Sequence, residues 1–277
     1  MKIAPPKGFS LWIRGQYRII LRNDLHPSCL DLVCELAQRP DPRRGEIVVA
    51  TFPTEQGSKI LVAFRRTVRG GLFGRLGINS TLGFAPRTLC ELRVAATAEG
   101  IGAPVAPPLG CYWKWDATGM SYTGGYFSVY QEKALCLSEV LEGWTAARLS
   151  LFQRRQVISQ FARAMTQLNQ AGIVHTDLTV RNVLFDRNRC LFIDLDGAYT
   201  VKSVSDQELV STLSRLNRSL EKSGRGRLVS LRERLWFLKE QLGSLRHNKM
   251  LVRRILAQAA RDLRWHRLFW NRKKTML

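Results

Sequence analysis

Residues 175 to 196 read His-Thr-Asp-Leu-Thr-Val-Arg-Asn-Val-Leu-Phe-Asp-Arg-Asn-Arg-Cys-Leu-Phe-Ile-Asp-Leu-Asp. They constrain the fold more than any other stretch, because short apolar runs separate polar side chains at fixed intervals. Upstream, Val157, Phe161, Met165 and Leu168 recur at helical spacing, which predicts a helix over 150–170 ended by Gly172. Residues 183–185 and 191–193 read as two short strands around a turn at 186–189. The order is therefore helix, loop, strand, turn, strand. Asp177 and Asn182 fall in the loop, and Asp194 directly follows the second strand.

Phosphoryl transfer needs such a set. One carboxylate orients and deprotonates the attacking hydroxyl, while an amide oxygen and a second carboxylate hold Mg²⁺ on the ATP phosphates. Asp177 is the candidate base, with Asn182 and Asp194 as candidate Mg²⁺ ligands. A loop Asp or Asn commonly does no more than cap a turn. The joint spacing, behind an amphipathic helix, is what points to chemistry. Asp196 competes with Asp194 as the metal ligand. His175 is expected to brace the loop, and Arg181 to neutralise charge on the phosphoryl group or on an acidic acceptor.

The phosphate-binding half is less regular. Strands are expected over 47–52 and 59–65, followed by a Gly- and Arg-rich loop over 67–83. Pro86 opens a helix running to about Glu99, with Gly100 as its cap. A further strand pair, 111–115 and 126–132, is expected around a turn at Gly124-Gly125. A strand Lys paired with a helix Glu usually grips the phosphates. Here the strand Leu61-Val62-Ala63-Phe64 leads into Arg65, and Glu91 is the expected partner. Glu132, at the boundary expected near 131–134, completes the candidate nucleotide site. No Gly-x-Gly-x-x-Gly precedes the strand.

Strands come first and helices later, with one helix among the early strands. This order predicts an α+β protein of two lobes, 1–132 and 133–277. The six cysteines are scattered with no Cys-x-x-Cys, which argues against structural zinc and favours reduced thiols. No apolar run approaches the length of a spanning helix, and the first residues lack the apolar core of a signal peptide.

Several segments resemble the lipopolysaccharide kinase family, in particular its 3-deoxy-D-manno-octulosonic acid (Kdo) kinases. They are Val62-Ala63-Phe64-Arg65 with Arg69-Gly70-Gly71-Leu72, Glu91-Leu92-Arg93, Gly102-Ala103-Pro104-Val105-Ala106-Pro107-Pro108, His175-Thr176-Asp177-Leu178 with Asn182, and Ile193-Asp194-Leu195-Asp196. The segment Leu213-Ser214-Arg215-Leu216-Asn217-Arg218-Ser219-Leu220-Glu221-Lys222 is more particular to that family. The resemblance implies a bilobal protein-kinase-like fold and ATP-dependent phosphorylation of Kdo on a lipid A precursor, at its 4-hydroxyl. It also implies work at the cytoplasmic face of an inner membrane, and it makes an Arg at position 65 ordinary. A core heptose is the nearest alternative acceptor.

Charge bears on the partner. Lys and Arg number 43 against 22 Asp and Glu, for a net charge of +21. Such a chain favours polyanions. Residues 201–277 hold 19 Lys or Arg against 6 Asp or Glu. Val252, Ile255, Leu256, Ala259 and Leu263 form a helical stripe flanked by Arg253, Arg254, Arg261 and Arg264, with Trp265, Leu268, Phe269 and Trp270 beyond. A basic amphipathic helix of this kind suits an anionic membrane surface. The alternative is a helix packed on the protein with a solvated basic face. No nucleic acid is expected, since basic charge without a recognised module is weak evidence. An inactive kinase-like scaffold is disfavoured by the presence of Asp177, Asn182 and Asp194.

Overall fold

The computed structural model describes residues 4–39, 47–67, 81–82, 85–146, 149–186 and 189–274. It divides into two compact units, Met1–Glu132 and Lys133–Leu277. Secondary structure is mixed α+β, with the strands concentrated in the first unit and the helices in the second.

The first unit is built on a seven-stranded antiparallel sheet ordered β1-β2-β6-β7-β4-β3, with β5 added on β7. Its strands are β1 (Phe9–Arg14), β2 (Tyr17–Arg22), β3 (Val48–Pro53), β4 (Lys59–Arg66), β5 (Thr81–Leu82), β6 (Pro108–Trp115) and β7 (Ser121–Val129). Alternation along β4 buries Val62 and Phe64. The Phe64 ring stacks on Phe127 with centroids 5.1 Å apart. Helix α1 (Cys29–Gln38) closes this core with Leu30, Val33 and Leu36. Arg65, one residue on, faces the opposite side of the sheet. Helix α2 (Arg87–Gly100) lies there, against β6 and β7.

One expectation needs correction. The β6–β7 hairpin turns at residues 116–120, and Gly124-Gly125 lies inside β7. The glycine at 125 is there for proximity: a Cβ would stand 2.4 Å from the Phe64 ring and 2.6 Å from that of Tyr112. Residues 9–38 form the β1–β2 hairpin and α1. The Arg69-Gly70-Gly71-Leu72 element lies outside the described residues, as does most of the 67–83 loop.

In the second unit, helix α3 (Leu137–Ala146) precedes α4 (Leu151–Gln170). Ser150 caps α4, with Gln153 reaching back to the Ser150 backbone. The same reciprocal arrangement, Ser205 with Glu208 and Ser230 with Glu233, starts α5 (Asp206–Lys222) and α6 (Leu231–Leu242). Strands β8 (Leu135–Cys136), β10 (Val183–Asp186) and β11 (Arg189–Phe192) form a small antiparallel sheet, and β9 (Ile173–Val174) pairs β12 (Tyr199–Thr200). The chain ends in α7 (Lys249–Lys274), which packs on α5. Leu251 and Ile255 are buried, whereas Arg253, Arg254, Leu256 and Arg261 are exposed. The side chains from Leu263 through Trp270 lie outside the described residues. No described helix is long and apolar enough to cross a membrane.

Candidate phosphoryl-transfer site

The loop containing Asp177 is anchored at its entry by Gly172. This residue has φ +69°, and a Cβ there would stand 2.0 Å from the Val201 carbonyl oxygen. The Gly172 carbonyl in turn accepts from Val201 N at 2.7 Å. Only a residue without a side chain permits this approach. It feeds the β9–β12 pair, which delivers His175 into the interior.

His175 is 1% exposed, and its Nε2 lies 3.1 Å from the Ile193 carbonyl oxygen. A carbonyl only accepts, so Nε2 carries the proton and Nδ1 is the bare nitrogen. Nδ1 is buried without a partner among the described residues. Burial lowers the His175 pKa below its usual value, against the opposing pull of the Ile193 hydrogen bond and the charges of Asp194 and Asp177. The ring is a neutral brace between the Asp177 loop and the segment carrying Asp194.

Asn182 holds the same two segments together. Its side-chain Nδ2 donates to the Asp177 carbonyl at 3.0 Å, and its backbone carbonyl accepts from Ile193 N at 3.0 Å. Because Nδ2 must face the Asp177 carbonyl, Oδ1 turns the other way. Asp194 follows Ile193 immediately and has φ +58°, the left-handed region, alone among described non-glycine residues. Asp tolerates that region better than most residues. The strain sits where a functional carboxylate is expected.

These donors fit Mg²⁺. An amide oxygen and a carboxylate are hard oxygen ligands, and Mg²⁺ commonly takes one or two protein ligands, with substrate phosphates and water supplying the rest. Among the described residues no three His, Cys, Asp or Glu side chains gather as a self-sufficient cage. Asp196, the competing ligand, is half-buried two residues further on.

Sequence reasoning gave Arg215 no role. From the middle of α5 it forms an ion pair with Asp177, 38 residues away in sequence. Its Nε donates to Asp177 Oδ1 at 2.6 Å, and its Nη2 contacts the same oxygen. Four residues along α5, Ser219 Oγ accepts from Val180 N at 3.2 Å. This face of α5 therefore backs the whole loop. Arg181, the cation expected to act here, is exposed and has no ion-pair partner among the described residues. The family-like segment around Arg215 was the available signal, but nothing local ties it to Asp177.

In the first unit, Arg65 and Glu91 come together as expected. Arg65 Nη2 lies 2.8 Å and 2.6 Å from the two Glu91 carboxylate oxygens, and Glu91 is 3% exposed. The buried Tyr126, directly across from Arg65 in the sheet register, has its hydroxyl pKa pushed well up by burial and by the Glu91 charge. Glu132 is an exposed turn residue with no ion pair among the described residues. The cysteines are free thiols. Burial raises Cys29 to about 11 and Cys190 to about 12, so neither is a thiolate nucleophile at neutral pH.

Residues 131–236 match the lipopolysaccharide kinase (Kdo/WaaP) family. A 3-deoxy-D-manno-octulosonic acid kinase of Haemophilus influenzae (strain PittGG) is 26% identical over 205 residues, covering 70% of this chain and 79% of that one. The enzyme of the same name from Vibrio vulnificus (strain CMCP6) is 28% identical over 169 residues, covering 59% and 66%. Among solved structures, WaaP in complex with acyl carrier protein superposes with a TM-score of 0.54 at 16% identity, covering 86% of this chain and 97% of that one. That likeness is one of fold.

Proposed function

We propose that this chain is an ATP-dependent sugar kinase of the lipopolysaccharide kinase family, and that its acceptor is the Kdo sugar of a lipid A precursor, phosphorylated at the 4-hydroxyl. Asp177 is the base. Its Oδ1 is held by Arg215, which leaves Oδ2 to take the hydroxyl proton as the oxygen attacks the terminal phosphorus. Asn182 Oδ1 and the Asp194 carboxylate would hold Mg²⁺, which would supply charge neutralisation on the triphosphate. Arg65, oriented by Glu91, contacts the nucleotide phosphates, and Glu132 contributes to the nucleotide site. The observation that carries this reading is the hydrogen-bonded unit of Asp177, Asn182 and Ile193, with Asp194 next in the chain.

The reading places the enzyme at the cytoplasmic face of the inner membrane. The exposed Arg253, Arg254 and Arg261 of α7 support docking on anionic lipid. Near such a surface each cation adds roughly 1 kcal/mol. A lipid-linked acidic acceptor and a net charge of +21 agree with that placement.

The test is incubation with ATP, Mg²⁺ and Kdo-bearing lipid A precursor, read by mass spectrometry. One added phosphate is expected, and Asp177→Ala abolishes it. Phosphate on a heptosylated acceptor alone moves the assignment to heptose kinase, and no transfer to any glycolipid removes the acceptor claim.

A further inference from the structure

Arg215, Arg218 and Lys222 recur along α5 at the spacing of one helical face. Arg215 spends both of its contacts on one oxygen of Asp177. Arg218 lies three residues further along α5, on the same helical face by spacing. It is half-buried, its Nε is buried with no hydrogen-bond partner, and it has no ion pair among the described residues. The adjacent Ser219 bonds Val180 of the loop, so this part of the helix lies against the loop that carries the base. Lys222 ends the helix one turn later. A guanidinium with a buried, unsatisfied donor is costly unless an anion completes it. A planar anion that takes two parallel N–H donors is the natural match.

We infer that Arg215 and Arg218 together receive the carboxylate of the acceptor sugar and thereby select a sugar acid over a neutral sugar. The inference rests on the acceptor reading above. A hydroxyl poised over Asp177 brings the rest of its ring against the same helical face. A carboxylate on that ring then meets Arg218 and shares Arg215 with Asp177. Without acceptor, Asp177 is the only carboxylate paired with Arg215 among the described residues. With acceptor, the anion shares the Arg215 guanidinium with Asp177.

The experiment uses the full chain, ATP, Mg²⁺ and two acceptors: Kdo-bearing lipid A precursor, and the same lipid with its Kdo carboxyl converted to a primary amide. Wild type, Arg215→Gln and Arg218→Gln are compared by KM for acceptor, KM for ATP and kcat, with thermal melts to confirm folding. Loss of one charge-assisted contact corresponds to about a ten-fold change. Amidation is therefore expected to raise the wild-type acceptor KM about ten-fold. Arg218→Gln should raise the KM for the carboxylate acceptor by a similar factor, leave the KM for ATP unchanged, and add little with the amide. Arg218→Lys should recover part of the loss. If Arg215→Gln does not fold, Arg218→Gln carries the same expectation alone. A rise in the KM for ATP instead would assign the pair to nucleotide phosphate and overturn the inference. So would equal losses on both acceptors, which is what a purely structural arginine gives. Wild type that phosphorylates both acceptors with one KM overturns the inference while leaving the acceptor reading intact. Wild type that phosphorylates neither overturns the acceptor reading itself.

Discussion

Arg65 reaches both carboxylate oxygens of Glu91 with a single nitrogen, Nη2, at 2.8 and 2.6 Å. The pair joins a central strand to the helix on one face of its sheet, and the strand's alternation sets that direction. Phe64 points into the aromatic core, so Arg65 must point away from it. Glu91 is almost wholly buried, whereas Arg65 keeps 28% of its side chain exposed. The guanidinium is thus anchored to a buried carboxylate while part of the side chain stays exposed.

Removing the acid should cost stability as well as function. Glu91→Ala removes a buried carboxylate from its ion pair with Arg65, and breaking such a pair costs about 3 kcal/mol or more. Denaturant unfolding should register that loss. Arg65→Lys keeps a charge but loses the fork, so it should destabilise less and raise the KM for ATP.

His175 ties stability to acidity. Its folded pKa lies below the ordinary 6.5, chiefly through burial. As pH falls through about 6.5 the unfolded chain binds a proton that the folded chain refuses, so stability declines below that point. It is fully present above it. The slope from this one group approaches about 1.4 kcal/mol per pH unit until the folded pKa is reached. Unfolding curves from pH 7.5 to pH 5 should show the fall. His175→Gln, whose amide N–H can meet the Ile193 carbonyl, should flatten it. Equal slopes for the two proteins would contradict the assignment.

Gly172→Ala should be among the more damaging single-methyl additions. The left-handed backbone costs a side-chain-bearing residue about 1–2 kcal/mol. The overlap with Val201 O adds about as much again. We expect a loss of about 3 kcal/mol, measured by thermal melting. Activity should fall too, because Val201 fixes the entry to the Asp177 loop.

Asp194 separates conformation from charge. Asn also tolerates φ near +58°, so Asp194→Asn should melt close to wild type. It should nevertheless lose about a hundred-fold in kcat, as expected when a charge-stabilising contact is removed. Asp194→Ala should show the same kinetic loss and melt lower, by about 1 kcal/mol. An active Asp194→Asn protein would shift attention to Asp196.

What could be read in advance was local. Ser150, Ser205 and Ser230 each stand three residues before a Gln or Glu that completes a reciprocal helix cap. The spacing of Asp177, Asn182 and Asp194 marks a loop that folds back on itself between a helix and a β-hairpin, and Asn182 joins its two ends. Arg65 and Glu91 followed from strand alternation and the distance to the next helix. The misreading was also local in cause. Gly124-Gly125 looks like a turn because glycine turns chains, yet here it lets Phe64 and Tyr112 pack against the strand. Helix α1 carries its signal in Cys29, Leu30, Val33 and Leu36, an apolar stripe at helical spacing.

The sequence by itself determined the elements, their order, the chemical types at the site and the family they resemble. Hydrogen bonding and side-chain periodicity over a few residues impose these, and spacing records them directly. Tertiary structure alone decided that Arg215 grips Asp177 and that Ser219 bonds Val180 of the same loop. Those contacts need α5 to return across the loop, and that return is set by the burial of Val210, Leu213 and Leu220 in the core of the unit. Burial there is a property of the whole packed unit, which no short stretch of residues encodes.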